Sequence, residues 1–349
     1  MLFKGSDNLI QRQGRYTIRL TGRPAVAGYA SVVGKKEGEG PFGKLFDRVE
    51  QDTSFGEKTW EKSESHMQSS ALDLALKKAG VKAEDVDVIF AGDLLNQCIG
   101  SSFGLRGSGI PFAGIFGACS TMAESLAFAS VAVESGVART AAAVTSSHFC
   151  SAERQFRLPL QYGGQRTQSA QWTATGSGCV ILSKSGSGPF VSEVTLGRLQ
   201  DYGVTDMANM GAAMAPAAAD TIKNYLDDTG AKPEDFDLIV TGDLGFIGSR
   251  LLGELLGSEG ITLTNHDDCG MMIYGRKRQD VHAGGSGCGC SASVLCSKLL
   301  GDMRSGALKE LLFIATGALM SPTSSQQGES IPAIAHLIHL SSAKMAPEA

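Results

Sequence analysis

The sequence predicts an α/β protein built from two copies of one unit, and a long internal repeat is the first observation that predicts it. Residues 82–94 read KAEDVDVIFAGDL, and residues 232–244 read KPEDFDLIVTGDL, a displacement of 150 residues. In each copy a polar turn leads into a short apolar run, which is typical of a buried strand. The repeat therefore indicates a duplicated fold rather than a chance similarity.

Helical segments precede both repeated strands, and they are the second observation. Met67–Ala79 and Ala217–Thr229 have helical composition and end at Gly80 and Gly230, again 150 residues apart. Glycine is the residue that most readily takes the left-handed conformation closing a helix. Short buried strands that alternate with helices favour layered sheets covered by helices.

A second duplicated helix is the third observation. A long, alanine-rich helix is predicted from Cys119 to Ser135, and a counterpart begins near Cys288–Cys290 and ends at Ser305. We therefore expect two homologous halves, residues 1–198 and 199–349, that pack as one body.

The remaining elements follow from apolar runs between polar and glycine-rich stretches. Residues 112–116 are predicted to be a buried strand. Two long surface loops are expected at residues 34–56 and 145–166. Further strands are predicted at residues 21–33, 140–144, 169–183, 190–198, 311–316 and 333–340.

Composition excludes several classes of function. The 349 residues are 42% hydrophobic and 19% charged, with a net charge of -5, so a broad nucleic-acid footprint is not expected. No run approaches the roughly 20 apolar residues of a membrane span, and the first 21 residues lack the apolar core of a signal peptide. We expect synthesis in the cytoplasm, with the eight cysteines reduced and mostly buried.

Cys119 is the central candidate for a functional residue. It stands at the predicted start of a helix, where unpaired backbone N–H groups and the helix dipole stabilise a thiolate. The same N–H groups can hold a carboxylate instead. A cysteine that opens a buried helix is also a common packing residue, so its position alone leaves a chemical and a steric role open.

These motifs resemble known proteins. A buried strand that runs into Gly-Ala-Cys-Ser at the start of an alanine-rich helix resembles the thiolase fold of the condensing enzymes, in which that cysteine carries the acyl group. The chain as a whole more closely resembles the stage V sporulation protein AD family. The stretches that carry the resemblance are residues 91–97, 116–121, 145–148, 152–157, 214–221, 281–292 and 315–319.

The resemblance implies a thiolase-like fold and a role in sporulation. It implies binding of dipicolinic acid (pyridine-2,6-dicarboxylate), with calcium accompanying the ligand, and transport of this ligand into the developing spore. Implied partners are the membrane proteins of the same transport system and a second copy of the chain in a homodimer. The implied location is peripheral, at the forespore inner membrane.

The alternative is a cysteine-dependent acyltransferase of the ketoacyl-synthase or thiolase type. Condensing enzymes need two further groups, His with His or Asn, to activate the thiol and stabilise the oxyanion. At the first position this chain has Thr241-Gly242-Asp243, and at the second it has Gly287-Cys288-Gly289-Cys290. A carboxylate would raise the thiol pKa, so no catalytic residue is predicted. Asp243 is interpreted as a helix cap, like its repeat partner Asp93.

His148, Arg154, Arg157 and Tyr162 are predicted ligand-binding residues in the loop after residue 144. Arginine pairs with carboxylate through a two-pronged fork, and an aromatic ring stacks on a pyridine. In the alternative interpretation, His148 is a satisfied core residue and the arginines tie the loop to the other half or to a partner.

Ser286 and Cys288 complete the predicted ligand-binding set. They belong to a glycine-rich loop that could hold an anion but lacks the ending of a nucleotide-binding P-loop. The Cys288 and Cys290 spacing could bind metal, yet a zinc site needs about four ligands. Neither a metal nor a cofactor is expected.

Overall fold

The computed structural model describes residues 10–156 and 165–343. The strands are β1 (Ile10–Gln13), β2 (Thr17–Leu20), β3 (Ala25–Gly34), β4 (Arg48–Glu50), β5 (Val88–Gly92), β6 (Phe112–Gly114), β7 (Thr140–Ser147), β8 (Trp172–Thr173), β9 (Gly176–Ser183), β10 (Phe190–Thr195), β11 (Leu238–Thr241), β12 (His266–Asp268), β13 (Gly285–Ser286), β14 (Glu310–Ala318) and β15 (Ala333–Ser341).

The α-helices are α1 (Lys35–Gly38), α2 (Trp60–Ala79), α3 (Ile99–Leu105), α4 (Thr121–Glu134), α5 (Phe149–Phe156), α6 (Met210–Thr229), α7 (Gly245–Ser258), α8 (Cys269–Met272), α9 (Cys288–Val294), α10 (Leu300–Ser305) and α11 (Pro322–Gln326). A π-helical turn (Leu295–Leu299) joins α9 to α10. These three pieces form the single long helix that the sequence predicts after residue 288.

The duplicated α/β architecture is confirmed by the sheet. In the first half the strand order is β3-β9-β7-β5-β6, and in the second it is β10-β15-β14-β11-β12. Both series begin with two antiparallel pairings and end with two parallel ones. Strand β10 therefore has in the second half the place of β3 in the first. The predicted division into residues 1–198 and 199–349 stays a prediction.

The helices form layers on both faces of the sheet. Helix α2 packs on β3, β7 and β9, and α6 packs on β14 and β15. Helix α4 lies between the halves, where it contacts β5 and β7 of the first half and β14 and β15 of the second. Its start is consequently held at the junction between the two repeats.

The ends of the duplicated helices agree with the prediction, whereas their starts are earlier. Gly80 and Gly230 close α2 and α6 with φ of 66° and 70°, a conformation that favours glycine. Helix α2 begins at Trp60 because the Thr59 hydroxyl accepts a hydrogen bond from the Lys62 backbone N–H.

Two predicted elements were wrong. Residues 112–116 are not a buried strand: β6 is the edge of the sheet, and Phe112 and Phe116 are 42% and 47% exposed. The predicted loop at residues 145–166 contains the helix α5, which packs beside α2 and β8. Its polar sequence does not indicate a helix. In both cases, the apolar pattern alone did not reveal which neighbours the segment would have.

No helix among the described residues is both long enough and apolar enough to cross a membrane.

A charged cluster links three neighbouring strands of the second half, β10, β15 and β14. His339 lies opposite Glu193 in the antiparallel register. Its Nδ1 is 3.0 Å from Glu193 Oε2, and its Nε2 is 2.8 Å from Glu310 Oε2. Burial lowers the pKa of His339, but the hydrogen bonds to Glu193 and Glu310 outweigh it and raise that pKa above 6.5. The imidazolium form therefore bridges carboxylates on the two strands that flank β15.

We expect His339→Gln to destabilise the fold by about 2 kcal/mol at low pH, the scale of hydrogen bonds to charged groups. Because the folded-state pKa is raised, the stabilisation is fully present below pH 6.5 and is lost as pH rises through the folded pKa. Urea unfolding of both proteins across this range measures the difference.

His336 on the same strand provides the matched control. Burial lowers the pKa of His336 to about 4. The free energy of unfolding of the wild-type chain therefore decreases as pH falls below 6.5, because the unfolded chain binds a proton that buried His336 does not. His336→Gln should remove this decrease, the opposite of the effect expected for His339→Gln. A stability difference for His339→Gln that grows with rising pH would contradict the assignment.

Candidate functional site

A cleft opens at the junction of the halves, at the start of α4. Its empty volume, with the solvent-open mouth included, is about 460 Å³. Most of its wall is apolar. The lining residues are Leu94, Phe116, Ala118, Cys119, Ala152, Glu153, Phe156, Thr173, Met210, Ser286, Ala318 and Met320.

Cys119 lies on the floor of this cleft and is 5% exposed. It belongs to a 3₁₀ turn, Ala118–Ser120, that leads directly into α4. Strand β14 passes so close to the turn that a Cβ on Gly317 would lie 3.3 Å from the Cys119 backbone nitrogen and 2.2 Å from the Gly117 carbonyl oxygen. Glycine at position 317 thus allows the second half to touch the cysteine of the first.

Asp243 is buried directly beside Cys119, and the prediction that it caps a helix was wrong. Its carboxyl accepts hydrogen bonds from the Thr316 hydroxyl (2.8 Å), the Gly287 backbone N–H (2.8 Å) and the Ser286 hydroxyl (3.1 Å). The Cys119 thiol is a close neighbour, and the charge of Asp243 contributes to the raised pKa of that thiol. One carboxyl group therefore joins the glycine-rich loop to β14 beside the cleft floor.

Asp268 has the role near α7 that the sequence suggested for Asp243. Its carboxyl accepts the backbone N–H groups of Leu244 and Gly245 at 2.9 Å each and the Thr241 hydroxyl at 2.7 Å. Burial raises its pKa to about 7, the Thr241 hydrogen bond opposes that rise, and the charge of Asp243 adds to it. Because Asp268 satisfies these groups, Asp243 is available to the cleft.

The surroundings of Cys119 disfavour a thiolate, contrary to what its position at a helix start suggested. Burial, the charge of Asp243 and the neighbouring Cys288 thiol raise the pKa of Cys119 well above 9.0. A hydrogen bond from the thiol to a carboxyl stabilises the protonated form. The group on the cleft floor is accordingly a neutral thiol, a poor nucleophile.

Ser286 lies in the cleft wall on β13, a two-residue strand that pairs with β8. Gln171, next to β8, fixes this pair: its Nε2 donates to the Asp243 carbonyl oxygen at 2.6 Å and to the Gly285 carbonyl oxygen at 2.8 Å. Thr173 on β8 lines the cleft beside Ser286. Two hydroxyl groups are thereby held at fixed positions next to Cys119.

Helix α5 supplies the opposite wall through Glu153 and Phe156. Glu153 is 4% exposed and accepts the Thr173 hydroxyl at 3.1 Å. Arg154 does not line the cleft: its guanidinium forms an ion pair with Glu61 on α2. This pairing corresponds to the alternative interpretation, in which the arginine ties the segment to the body of the protein.

His148 lies outside the cleft lining. Its Nε2 is 2.8 Å from the Thr53 carbonyl oxygen, its Nδ1 accepts the Cys150 backbone N–H, and its ring stacks on Trp60 at 5.5 Å. Burial lowers its pKa. These contacts describe a satisfied core histidine, so ligand binding by His148 stays a prediction without a contact in the cleft.

Cys288 is buried beside Cys119 in the same apolar cluster. Its thiol donates to the Ser146 carbonyl oxygen at 2.9 Å. Behind it, Glu64 accepts the hydroxyl groups of Ser146 (3.1 Å) and Ser151 (2.7 Å), and burial raises the Glu64 pKa to about 8. The structure thus brings Cys119, Ser286 and Cys288 together.

Arg157 and Tyr162 lie outside the described residues. Sequence reasoning missed several lining residues, among them Leu94, Met210 and Met320, because single apolar side chains carry no motif. Two sequence features could have pointed to this part of the lining. The first repeated strand ends at Leu94, and one of the stretches that carry the family resemblance begins at residue 214, close to Met210. Across residues 10–156 and 165–343, no group of three or more His, Cys, Asp or Glu side chains could hold a metal ion.

The state of Cys119 leads to a direct prediction. In the native protein we expect iodoacetamide to alkylate Cys119 far more slowly than in the urea-unfolded chain, because the thiol is buried and protonated. Asp243→Asn should accelerate native alkylation, since it removes the negative charge that helps to raise the thiol pKa. Intact-mass and peptide mass spectrometry give both rates.

Asp93→Asn is the matched control, because Asp93 is the repeat partner of Asp243 but contacts Ser101 and Leu95 instead of Cys119. It should leave the alkylation rate of Cys119 unchanged. A native rate equal to the unfolded rate would show that the thiol is activated and would contradict this description.

Comparison with known proteins agrees with this geometry. A model of the family described as Stage V sporulation protein AD matches residues 14–341. Stage V sporulation protein AD of Bacillus subtilis (strain 168) is 46% identical over 307 residues, which cover 88% of this chain and 90% of that protein.

Solved structures with a similar fold are condensing enzymes and thiolases. The 3-oxoacyl-[acyl-carrier-protein] synthase III of Aquifex aeolicus is 14% identical, with a TM-score of 0.54 over 91% of this chain and 99% of that one. Human mitochondrial 3-ketoacyl-CoA thiolase is 15% identical, with a TM-score of 0.56 over 93% and 99%. The chain therefore has a thiolase-like fold and belongs to the stage V sporulation protein AD family.

Proposed function

We propose that this sporulation protein binds dipicolinic acid in the cleft above Cys119, without chemical reaction, and so supports uptake of this ligand into the developing spore. The observation that carries the proposal is the burial of the Cys119 thiol next to the buried carboxyl of Asp243. A condensing enzyme needs a thiolate and an oxyanion site at this point. Here the thiol is held protonated, and the adjacent group would repel developing negative charge.

The shape of the cleft suits a small, flat aromatic acid. Phe116 and Phe156 provide aromatic surface, and Met210 and Met320 provide adaptable apolar surface. Ser286 and Thr173 lie on the paired strands β13 and β8, where their hydroxyl groups donate to Asp243 and Glu153. A ring packed on the apolar walls, with a carboxylate near the start of α4, uses the apolar surface and the helix terminus.

Charge balance favours a ligand that arrives with a cation. The cleft lining among the described residues includes the carboxyl group of Glu153 and no lysine or arginine. A dianion in this cleft needs compensating positive charge. In the proposal, calcium accompanies the ligand, and Arg157 and Tyr162 remain candidates for the part of the chain beyond α5.

The cellular part of the proposal follows from the family. The relative from Bacillus subtilis is named for stage V of sporulation. The chain acts at the forespore inner membrane as a peripheral protein, and its partners are the membrane proteins of the same transport system. It passes the ligand between the cytoplasm and these partners.

A homodimer formed through β6 is part of the proposal. This strand is the open edge of the large sheet, and an open edge pairs readily with another strand. Phe112, Phe116 and Phe128, which are 37% to 47% exposed, lie on or beside it. A second copy would cover both the unpaired backbone groups and these rings.

Phe112→Glu should raise the dimer dissociation constant at least about tenfold, because it places a charge in an apolar interface. Light scattering after size-exclusion chromatography, over a concentration series, measures this change. Leu199→Glu, at a residue that is 62% exposed and remote in sequence from β6, should not change it. A wild-type chain that is monomeric at all concentrations would remove the dimer from the proposal.

Isothermal titration with dipicolinate, with and without calcium, should show saturable binding. Cys119→Trp should abolish it by filling the cleft, and Phe156→Ala should weaken it about tenfold, the scale of an aromatic contact. Phe103→Ala, at an exposed ring outside the cleft lining, is the control for Phe156.

Arg154→Ala separates the two interpretations of that arginine. Because its guanidinium pairs with Glu61, the dipicolinate affinity of Arg154→Ala should stay within about twofold of wild type. A loss of affinity as large as that of Phe156→Ala would show that Arg154 contributes to ligand binding. Absence of binding by the intact chain would contradict the proposal. An acyl adduct on Cys119 after incubation with acyl-CoA would instead support the acyltransferase alternative.

Binding should tighten as pH falls over the range in which the ligand is a dianion. Burial already raises the pKa of Asp243, although hydrogen bonds from Gly287 and Cys119 oppose that rise. A bound anion would raise it further, so that complex formation takes up a proton. Titrations in buffers of different ionisation enthalpy measure the uptake. Asp243→Asn should lose it, and equal uptake by wild type and variant would assign it to another group.

A further inference from the structure

Two neighbouring loops form a basic surface beside the cleft. One loop covers residues 35–45 and the other residues 275–280. They are fixed to each other by a hydrogen bond from Gln279 Nε2 to the Lys36 carbonyl oxygen at 2.6 Å. A Cβ on Gly40 would lie 2.2 Å from the Ile273 carbonyl oxygen, so the backbones also touch. We call residues 35–45 and 275–280 the basic loop pair.

The basic loop pair contains three acidic residues. Glu37 is buried and accepts the Tyr274 hydroxyl. Glu39 is exposed and pairs with Lys35 at 4.0 Å. Asp280 is exposed and lies 3.8 Å from the Arg166 guanidinium and 2.9 Å from His282 Nε2. Both exposed acidic groups therefore have basic neighbours.

Four further cations remain on the surface: Lys44, Arg276, Lys277 and Arg278 are all exposed. The described structure shows no ion pair for any of them, and the Arg276 guanidinium lies 3.9 Å from the centroid of the Phe246 ring. Since the whole chain has a net charge of -5, this positive surface is a local segregation of charge. Such segregation favours a polyanionic partner.

Exposed apolar groups lie within the same loops. Leu45 is 48% exposed and adjoins Lys44, and Pro41 is also exposed. Exposed cations together with exposed apolar side chains are typical of surfaces that rest on anionic lipid headgroups. A specific acidic protein segment is usually held by arginines with fixed, paired geometry, whereas Lys44, Lys277 and Arg278 have long side chains without fixed partners.

The basic loop pair is connected to the cleft wall through Trp172. The Lys36 ammonium lies 3.6 Å from the Trp172 ring centroid, and the Arg166 guanidinium lies 4.7 Å from it. The next residue, Thr173, lines the cleft. A membrane that contacts the loop pair would therefore adjoin the wall of the ligand cleft.

We propose that the basic loop pair is the surface through which this protein binds the anionic headgroups of a lipid bilayer. This inference rests on the peripheral membrane location in the proposed function and assigns that location to particular residues. It also gives the cleft a fixed position relative to the bilayer, with its β8 wall on the membrane side.

Flotation with vesicles of phosphatidylglycerol and phosphatidylcholine tests the inference on the full chain. We expect binding to the mixed vesicles, little binding to phosphatidylcholine alone, and a loss of binding with added salt. The triple variant Lys44→Gln, Lys277→Gln and Arg278→Gln should reduce the partition coefficient on the order of 100-fold, which corresponds to three basic residues near an anionic surface.

The matched control removes three exposed cations elsewhere, through Lys82→Gln, Arg139→Gln and Lys232→Gln, and should keep binding within a few-fold of wild type. Equal losses in both variants, or no binding of the wild-type chain to mixed vesicles, would overturn the inference. Binding of polyglutamate without vesicle binding would identify an acidic protein segment as the partner instead.

Dipicolinate titration of the triple variant separates this inference from ligand binding. Unchanged affinity shows that the cleft is intact, so a vesicle result then reports on the loop pair alone. Loss of ligand affinity in the same variant would show that the substitutions disturb the cleft, and the loop pair would no longer be an independent membrane surface.

Discussion

The hydrogen bonds to one buried carboxyl group, that of Asp243, determine both the shape and the chemistry of the cleft. They join β14 to the glycine-rich loop before α9, next to the turn that contains Cys119. Removing such a group leaves several buried donors without a partner, which is costly. Burial, together with the charge of the same group, raises the pKa of the Cys119 thiol. Asp243 thus stabilises the junction of the halves and disfavours a thiolate beside it.

The duplication explains why two equivalent aspartates have different roles. Asp93 accepts the backbone N–H of Ser101, in the first turn of α3, at 2.7 Å and that of Leu95 at 2.9 Å. Asp243 instead meets a cysteine from the other half, because α4 lies between the two halves. Internal sequence symmetry therefore predicted the positions of the two carboxyl groups but not their partners, which belong to different repeats.

Much of the fold could be predicted from sequence, since the repeat, the helix-ending glycines and the strand pattern are local features. Contacts between remote segments could not. Helix α5 was interpreted as a loop because its stabilising contacts are distant in sequence: Ser151 with Glu64 and Arg154 with Glu61. Cys119 and Ser286 were found because motifs mark them. The apolar lining was missed because, in sequence, an apolar residue that lines a cleft has the same pattern as one buried in the core.

A co-crystal structure with dipicolinate tests the central claim most directly, because it shows at once where the ligand binds and whether it reacts. The account predicts the pyridine ring in the cleft against Phe156, an unmodified Cys119 thiol, and a carboxylate near the start of α4. A ligand bound elsewhere, or a covalent bond to the Cys119 sulfur, would contradict it.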